Sequence, residues 1–204
     1  MKKILISIFF AFYLAKNIYG ASPQQLTSEA FLELITADGT IEIEQEIIHN
    51  IPIGIDSGYF TKGLSPCFCF VFFDKETGKT LFMTHFGPRG SEASTKKAKN
   101  YIESYLDSVL AKLEANCFAS DSEEEEDDEQ HPLYESISIW VIGGKEADSG
   151  NSIAALREIA EEQYFPVDGL FLNIAAPNQV LDVYSKDQEN TFFHLAELAE
   201  EQNE

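Results

Sequence analysis

The sequence predicts a layered α/β fold, and three segments carry that expectation. Cys67 to Phe73 and Thr80 to Phe86 are two β-rich runs joined by Asp74, Lys75, Glu76, Thr77 and Gly78, a loop with hairpin chemistry. Both faces of this hairpin are apolar, so it belongs inside a structure that covers it on both sides. Ser94 to Ala115 carries Ala98, Ile102, Tyr105, Leu106, Val109, Leu110 and Leu113 at helical spacing. Ser136 to Ile142 reads as a further strand, turned by Gly143 and Gly144 into a helix that Asn151 is placed to cap and that carries Ile153, Leu156, Ile159 and Ala160. Pro166 ends that helix.

The chain opens on a secretory pattern. Lys2 and Lys3 precede the uncharged 11-residue run Ile4 to Leu14, and Lys16 closes it. That run is too short for an ordinary membrane span, so residues 1–20 read as a cleavable signal peptide with the cut after Gly20. Ile18 is bulky for its place before that cut, which leaves a retained anchor as the alternative. Beyond it, residues 21–204 are expected to form a single domain. Thr27 and Ser28 cap a short helix through Phe31, Leu32 and Ile35, stopped by Asp38 and Gly39. Thr40 to Ile48 alternates isoleucine with glutamate as a half-buried strand does. Val167 to Ile174 and Gln179 to Tyr184 read as late strands, and the acidic tail from about Asn190 as a weak helix.

Ser120 to Gln130 is a different kind of segment. Eight acidic side chains fall within nine residues there, and they repel one another too strongly to pack. A disordered surface insertion at about 120–130 is expected, with calcium or a basic partner as the alternatives. The run has no glycine for the turn of an ordered calcium loop.

Charge narrows the partners. The formal net charge is −21, and loss of the three lysines of the signal takes it to −24. Nucleic acid is excluded as a natural partner because phosphate recognition needs clustered Lys and Arg, and a bare anionic membrane is disfavoured for the mature form on the same ground. The chain is expected to be secreted or periplasmic and monomeric. Its three cysteines, Cys67, Cys69 and Cys117, are an odd number for an oxidising compartment, so a disulfide framework is not the design, although a Cys69–Cys117 bridge is open.

The candidate chemistry lies in Thr61-Lys-Gly-Leu-Ser-Pro-Cys67 and in His85. With residues 74 to 78 as the loop, Phe73 pairs with Lys79, and counting back sets Cys67 directly opposite His85. An imidazole there takes the thiol proton, and a histidine that can be cationic makes the thiolate easier to form. Thr61, in the preceding loop, is placed to orient the second ring nitrogen, and backbone N–H groups around Cys67 to form an oxyanion hole. Against this stands the ordinary burial of cysteine in cores. Cys69 reads as core, and so do Trp140 and the phenylalanines of the hairpin. A metal held by Cys67, Cys69 and His85 lacks an evident fourth ligand. His49, His131 and His194 have no partner motif.

The stretch Thr61, Gly63, Leu64 and Cys67, with His85 in a following strand, resembles the signature of the chemoreceptor glutamine deamidases (CheD). Ile142-Gly143-Gly144 resembles that family's F-G-G segment, and Asn151 with Ala154, Ala155 and Leu156 its asparagine-initiated helix. The resemblance runs patchily from about Ile41 to Phe171. Ser65 and Pro66 stand where the family carries Gly-Ser, and the family's glycine-rich, arginine-bearing segment near the C-terminus has no counterpart at Asn173 to Asn178. The scaffold is similar in fold to the cytotoxic necrotizing factor toxins and the Burkholderia lethal factor. The resemblance implies mixed β-sheets flanked by helices, with Cys67 as nucleophile, His85 as base and Thr61 as its orienting partner. It implies a cofactor-free amide hydrolase that turns exposed glutamine side chains of a protein substrate into glutamate. With the signal peptide, it implies an exported, effector-like enzyme whose protein target is left open, host and envelope proteins both being candidates. A catalytically inactive binding module and a thiol-based metal or redox module are the alternatives.

Overall fold

The computed structural model describes residues 21–45, 52–88, 93–117 and 135–198. The expected signal peptide and acidic insertion lie outside the described residues. Nine strands and three helices follow one another as β1 (Gln24–Gln25), α1 (Ser28–Ile35), β2 (Ile41–Glu42), β3 (Tyr59–Leu64), β4 (Phe68–Asp74), β5 (Thr80–Phe86), α2 (Thr95–Cys117), β6 (Ile137–Gly143), α3 (Glu146–Glu162), β7 (Val167–Leu172), β8 (Gln179–Ser185) and β9 (Thr191–Glu197) among the described residues.

The strands form two mixed sheets. The first has the order β1-β9-β8-β3-β2 and the second β5-β4-β6-β7. In the second, β4 is antiparallel to both β5 and β6, and β6 is parallel to β7. The apolar hairpin is covered on both sides, as its composition requires. Phe70 and Phe86 turn towards Tyr105 of α2, with ring centroids 5.9 and 4.8 Å away. On the opposite face, His85 reaches Thr61 of the first sheet. One apolar core joins the second sheet to Tyr59, Leu64, Leu181 and Val183 of the first and to the buried faces of α2 and α3. The outer face of the first sheet is covered by α1, where Phe31 packs with Phe60 and Tyr184.

Sequence explains most of these elements. Thr27 caps α1 by accepting from Ala30 N–H at 3.4 Å. The seven apolar positions read for α2 all lie in or against the core. Leu32, read as part of the apolar face of α1, is 57 % exposed instead.

Four expectations are corrected. The strand over Thr40–Ile48 shrinks to Ile41–Glu42 plus a single bridge from Gln45 to His85, with residues 46–51 outside the described set. Asn151 does not start a helix. α3 begins at Glu146 and breaks at Ser149 (φ −139°), whose hydroxyl donates to Lys145 C=O, so Asn151 sits in the first turn after the break and accepts from Thr95 Oγ1 of α2 at 3.0 Å. Among the described residues the tail is not helical. Thr191–Glu197 pairs with all of β8, because Asp187 Oδ1 accepts from Asn190 N–H and closes a tight turn between them. Strand pairing then outweighs the helical propensity of Leu195, Ala196 and Glu197.

The last correction is to the hairpin register. Asp74 faces Lys79, which leaves a loop of four residues, and Leu81 bulges out of β5 between the pairs Phe73–Thr80 and Phe72–Phe82. The bulged Leu81 carbonyl accepts from Gly54 N–H at 2.9 Å and Tyr59 O–H at 3.0 Å. Each change shifts the pairing by one residue, and together they set Cys69, not Cys67, opposite His85. Two shifts restore parity, so all three side chains still share one face.

Candidate active site

Thr61 belongs to β3, not to the loop before the cysteine. It is fully buried on the inner face of the first sheet, and its hydroxyl donates to Ile43 C=O at 2.8 Å. A threonine hydroxyl has one proton to give. Towards His85 Nδ1, also 2.8 Å away, Thr61 Oγ1 is therefore the acceptor. That geometry places the ring hydrogen on Nδ1 and leaves the lone pair on Nε2.

His85 Nε2 is buried and meets no hydrogen-bond partner among the described residues. Burial also lowers the imidazole pKa from 6.5 to about 4, because the cation would lose its hydration. At neutral pH the ring is a neutral base with an open acceptor nitrogen. This corrects the expectation that a cationic histidine assists thiolate formation. A thiol here is activated by handing its proton to Nε2 as it attacks, not by a standing ion pair.

Cys67 precedes β4 and is 8 % exposed, beside His85 at 6 %. It stands two residues before Cys69 in the chain, on the diagonal from His85, and no hydrogen bond joins its thiol to Nε2. The turn from β3 into β4 contains the cis Ser65–Pro66 peptide. The end of β6 presses on the other side. Gly144 N–H donates to Cys67 C=O at 2.9 Å, and a Cβ on Gly143 would stand 2.7 Å from that same oxygen. Gly143 is thus glycine because backbone meets backbone at the cysteine, and Gly144 because a Cβ there would strike the Phe68 ring.

Cys69, directly opposite His85, is fully buried, and desolvation pushes its thiol pKa well above the usual value. It is protonated and shielded, in keeping with a core role. It is also a free thiol. Among the described residues no three His, Cys, Asp or Glu side chains gather closely enough to hold a metal ion. A cavity of about 330 Å³ lined by Lys75, Glu135, Tyr164 and Pro166 lies at the far end of the second sheet from Cys67.

Gly63 was legible as part of the motif, but its task was not. It sits in a bulge of β3 with φ +73°, and its N–H donates to Asp182 Oδ1 at 2.9 Å. Its neighbour by two residues, Thr61, meanwhile points the other way, towards His85. His49 and His131 lie outside the described residues. Among them, no helix is long and apolar enough to cross a membrane. Neither a protein-family model nor a curated protein matches this chain.

Proposed function

We propose that the chain is an exported Cys–His protein glutamine deamidase of the CheD-like kind, an effector-like enzyme whose substrate is an exposed glutamine of another protein. The observation that carries this reading is the tautomer of His85. The chain Ile43 C=O, Thr61 hydroxyl, His85 Nδ1–H leaves a bare, buried Nε2 on the face that also carries Cys67. Burying an imidazole nitrogen with nothing to accept from is costly, and a general base awaiting a proton is a function that repays it.

In the proposed cycle, Cys67 Sγ attacks the glutamine carboxamide carbon while its proton passes to His85 Nε2. The tetrahedral adduct collapses as His85 returns that proton to the departing nitrogen, and ammonia leaves a thioester. Water then gives a proton to Nε2, attacks the thioester and releases glutamate and the thiol. No cofactor or metal enters these steps.

The test is to incubate the mature protein with proteins bearing exposed glutamines, follow ammonia, and map glutamine-to-glutamate conversion by mass spectrometry. Conversion by the wild type that disappears in Cys67→Ala is the expected result. Conversion that persists in Cys67→Ala, or none on any protein from the envelope or a host, would leave a binding module as the better reading.

A further inference from the structure

A second hydrogen-bonded relay lies on the opposite face of the first sheet. Ser28 Oγ is 2.9 Å from His194 Nε2, and His194 Nδ1 is 3.1 Å from Asp182 Oδ2. The three residues come from α1, β9 and β8, and the register places Asp182 directly across from His194. Asp182 and the ring itself are both held. Asp182 is tied through its other oxygen to Gly63 N–H, and Phe31 stacks on the ring at 5.5 Å with planes 25° apart. The carboxylate accepts only, so Nδ1 carries the hydrogen and Nε2 accepts the serine proton.

The environment is graded in the direction that nucleophilic catalysis requires. The side chains of Asp182 and His194 are 12 % and 14 % exposed, whereas Ser28 is exposed at the surface. Ser28 is also the first residue of α1. Thr27 satisfies Ala30 N–H with its side chain and Phe31 N–H with its carbonyl, and the N–H groups of Ser28 and Glu29 meet no acceptor among the described residues. Donors directed at the helix entrance are suited to an oxyanion forming beside the serine.

From this geometry we infer a second catalytic site, an esterase centre with Ser28 as nucleophile, His194 as general base and acid, and Asp182 as the residue that positions His194. Its substrate class is an ester presented at the surface, because Ser28 is itself exposed there. Ser28 Oγ bonds to the acyl carbon as its proton moves to His194 Nε2, and the alcohol departs with that proton as its C–O bond breaks. Water then attacks the acyl-serine and loses a proton to Nε2, which returns it to Ser28 Oγ as the carboxylic acid leaves. The inference does not depend on the deamidase reading.

The experiment treats the mature Cys67→Ala protein, so that the Cys67 thiol does not contribute, with a fluorophosphonate and in parallel with p-nitrophenyl acetate. A phosphonyl adduct mapped to Ser28, together with hydrolysis lost in Ser28→Ala, is the expected result. Asp182→Asn retains an acceptor for Gly63 but offers an amide hydrogen to His194, which moves the ring hydrogen to Nε2. It is expected to lower kcat by about 10²-fold or more with KM nearly unchanged and the fold intact by circular dichroism. Asp182→Glu should recover part of the loss. An unmodified Ser28 in folded protein, or hydrolysis that survives Ser28→Ala, would overturn the inference.

Discussion

Thr61 shows how much a single hydroxyl can decide. Because its proton goes to Ile43 C=O, His85 must donate from Nδ1, and the nitrogen left with an open lone pair is the buried Nε2. Two predictions follow at this scale. If Cys67 and His85 act as one unit, Cys67→Ala and His85→Ala each remove nearly all deamidation, and the double variant loses little more. Steady-state rates on a mapped glutamine, with circular dichroism as the folding control, check this. The second concerns pH. The folded-state pKa of His85 is about 4 against 6.5 in its absence of burial, so the unfolded chain binds the extra proton between those values. Stability from this residue is intact above about pH 6.5 and is lost as pH falls towards 4. His85→Gln should flatten that part of the stability–pH curve by on the order of 2 kcal/mol, after allowance for solvent screening, as measured by urea unfolding. Activity should likewise keep its acid limb near pH 4, where the base is lost, and not near 6.5.

At the scale of elements, two glycines of the motif segments are held for different reasons. Gly63 has φ +73° and open space where a Cβ would go, whereas Gly144 has φ +70° and would put a Cβ 2.3 Å from Cε1 of the fully buried Phe68. Gly63→Ala should cost about 1–2 kcal/mol, the price of a left-handed backbone alone. Gly144→Ala adds a collision that the packed core cannot relieve, and should cost about 3 kcal/mol or more in the same denaturation assay. The elements also show what sequence could reveal. The hairpin, α2 and the β6 turn were legible because their apolar periods are long and their turn residues unambiguous. The bulge at Leu81 was not, since it answers to Gly54 and Tyr59, which lie far away in the chain. The face shared by Cys67 and His85 survived that miss only because the shorter loop shifted the register a second time. The strand over Thr191–Glu197 hid behind residues with helical propensity. With it went the pairing of Asp182 with His194, which a strand reading of the tail would have exposed.

For the whole molecule, the arrangement is a stack: α1, the first sheet, the second sheet, then α2 and α3. The acidic run Ser120 to Gln130 connects α2 to β6 in sequence and has no apolar side chain to contribute to that stack. Its deletion should leave the thermal midpoint within a few degrees of the parent, which corresponds to less than about 1 kcal/mol. A larger fall would make the run structural. N-terminal sequencing of exported protein should begin at Ala21.

The stacking also turns the two neighbouring thiols into clocks that run at different speeds. Cys67 sits at the rim where β4 begins, while Cys69 lies between the sheets with no exposed surface. A thiol reagent can meet Cys69 only when the sheets part, so its labelling rate is the intrinsic rate scaled by the opening equilibrium. Cys69 should therefore label at least about 10³-fold more slowly than Cys67 in native buffer, converging with it as urea approaches the unfolding midpoint. Two peptides of one digest would then report the free energy of opening from inside the molecule, without any added probe.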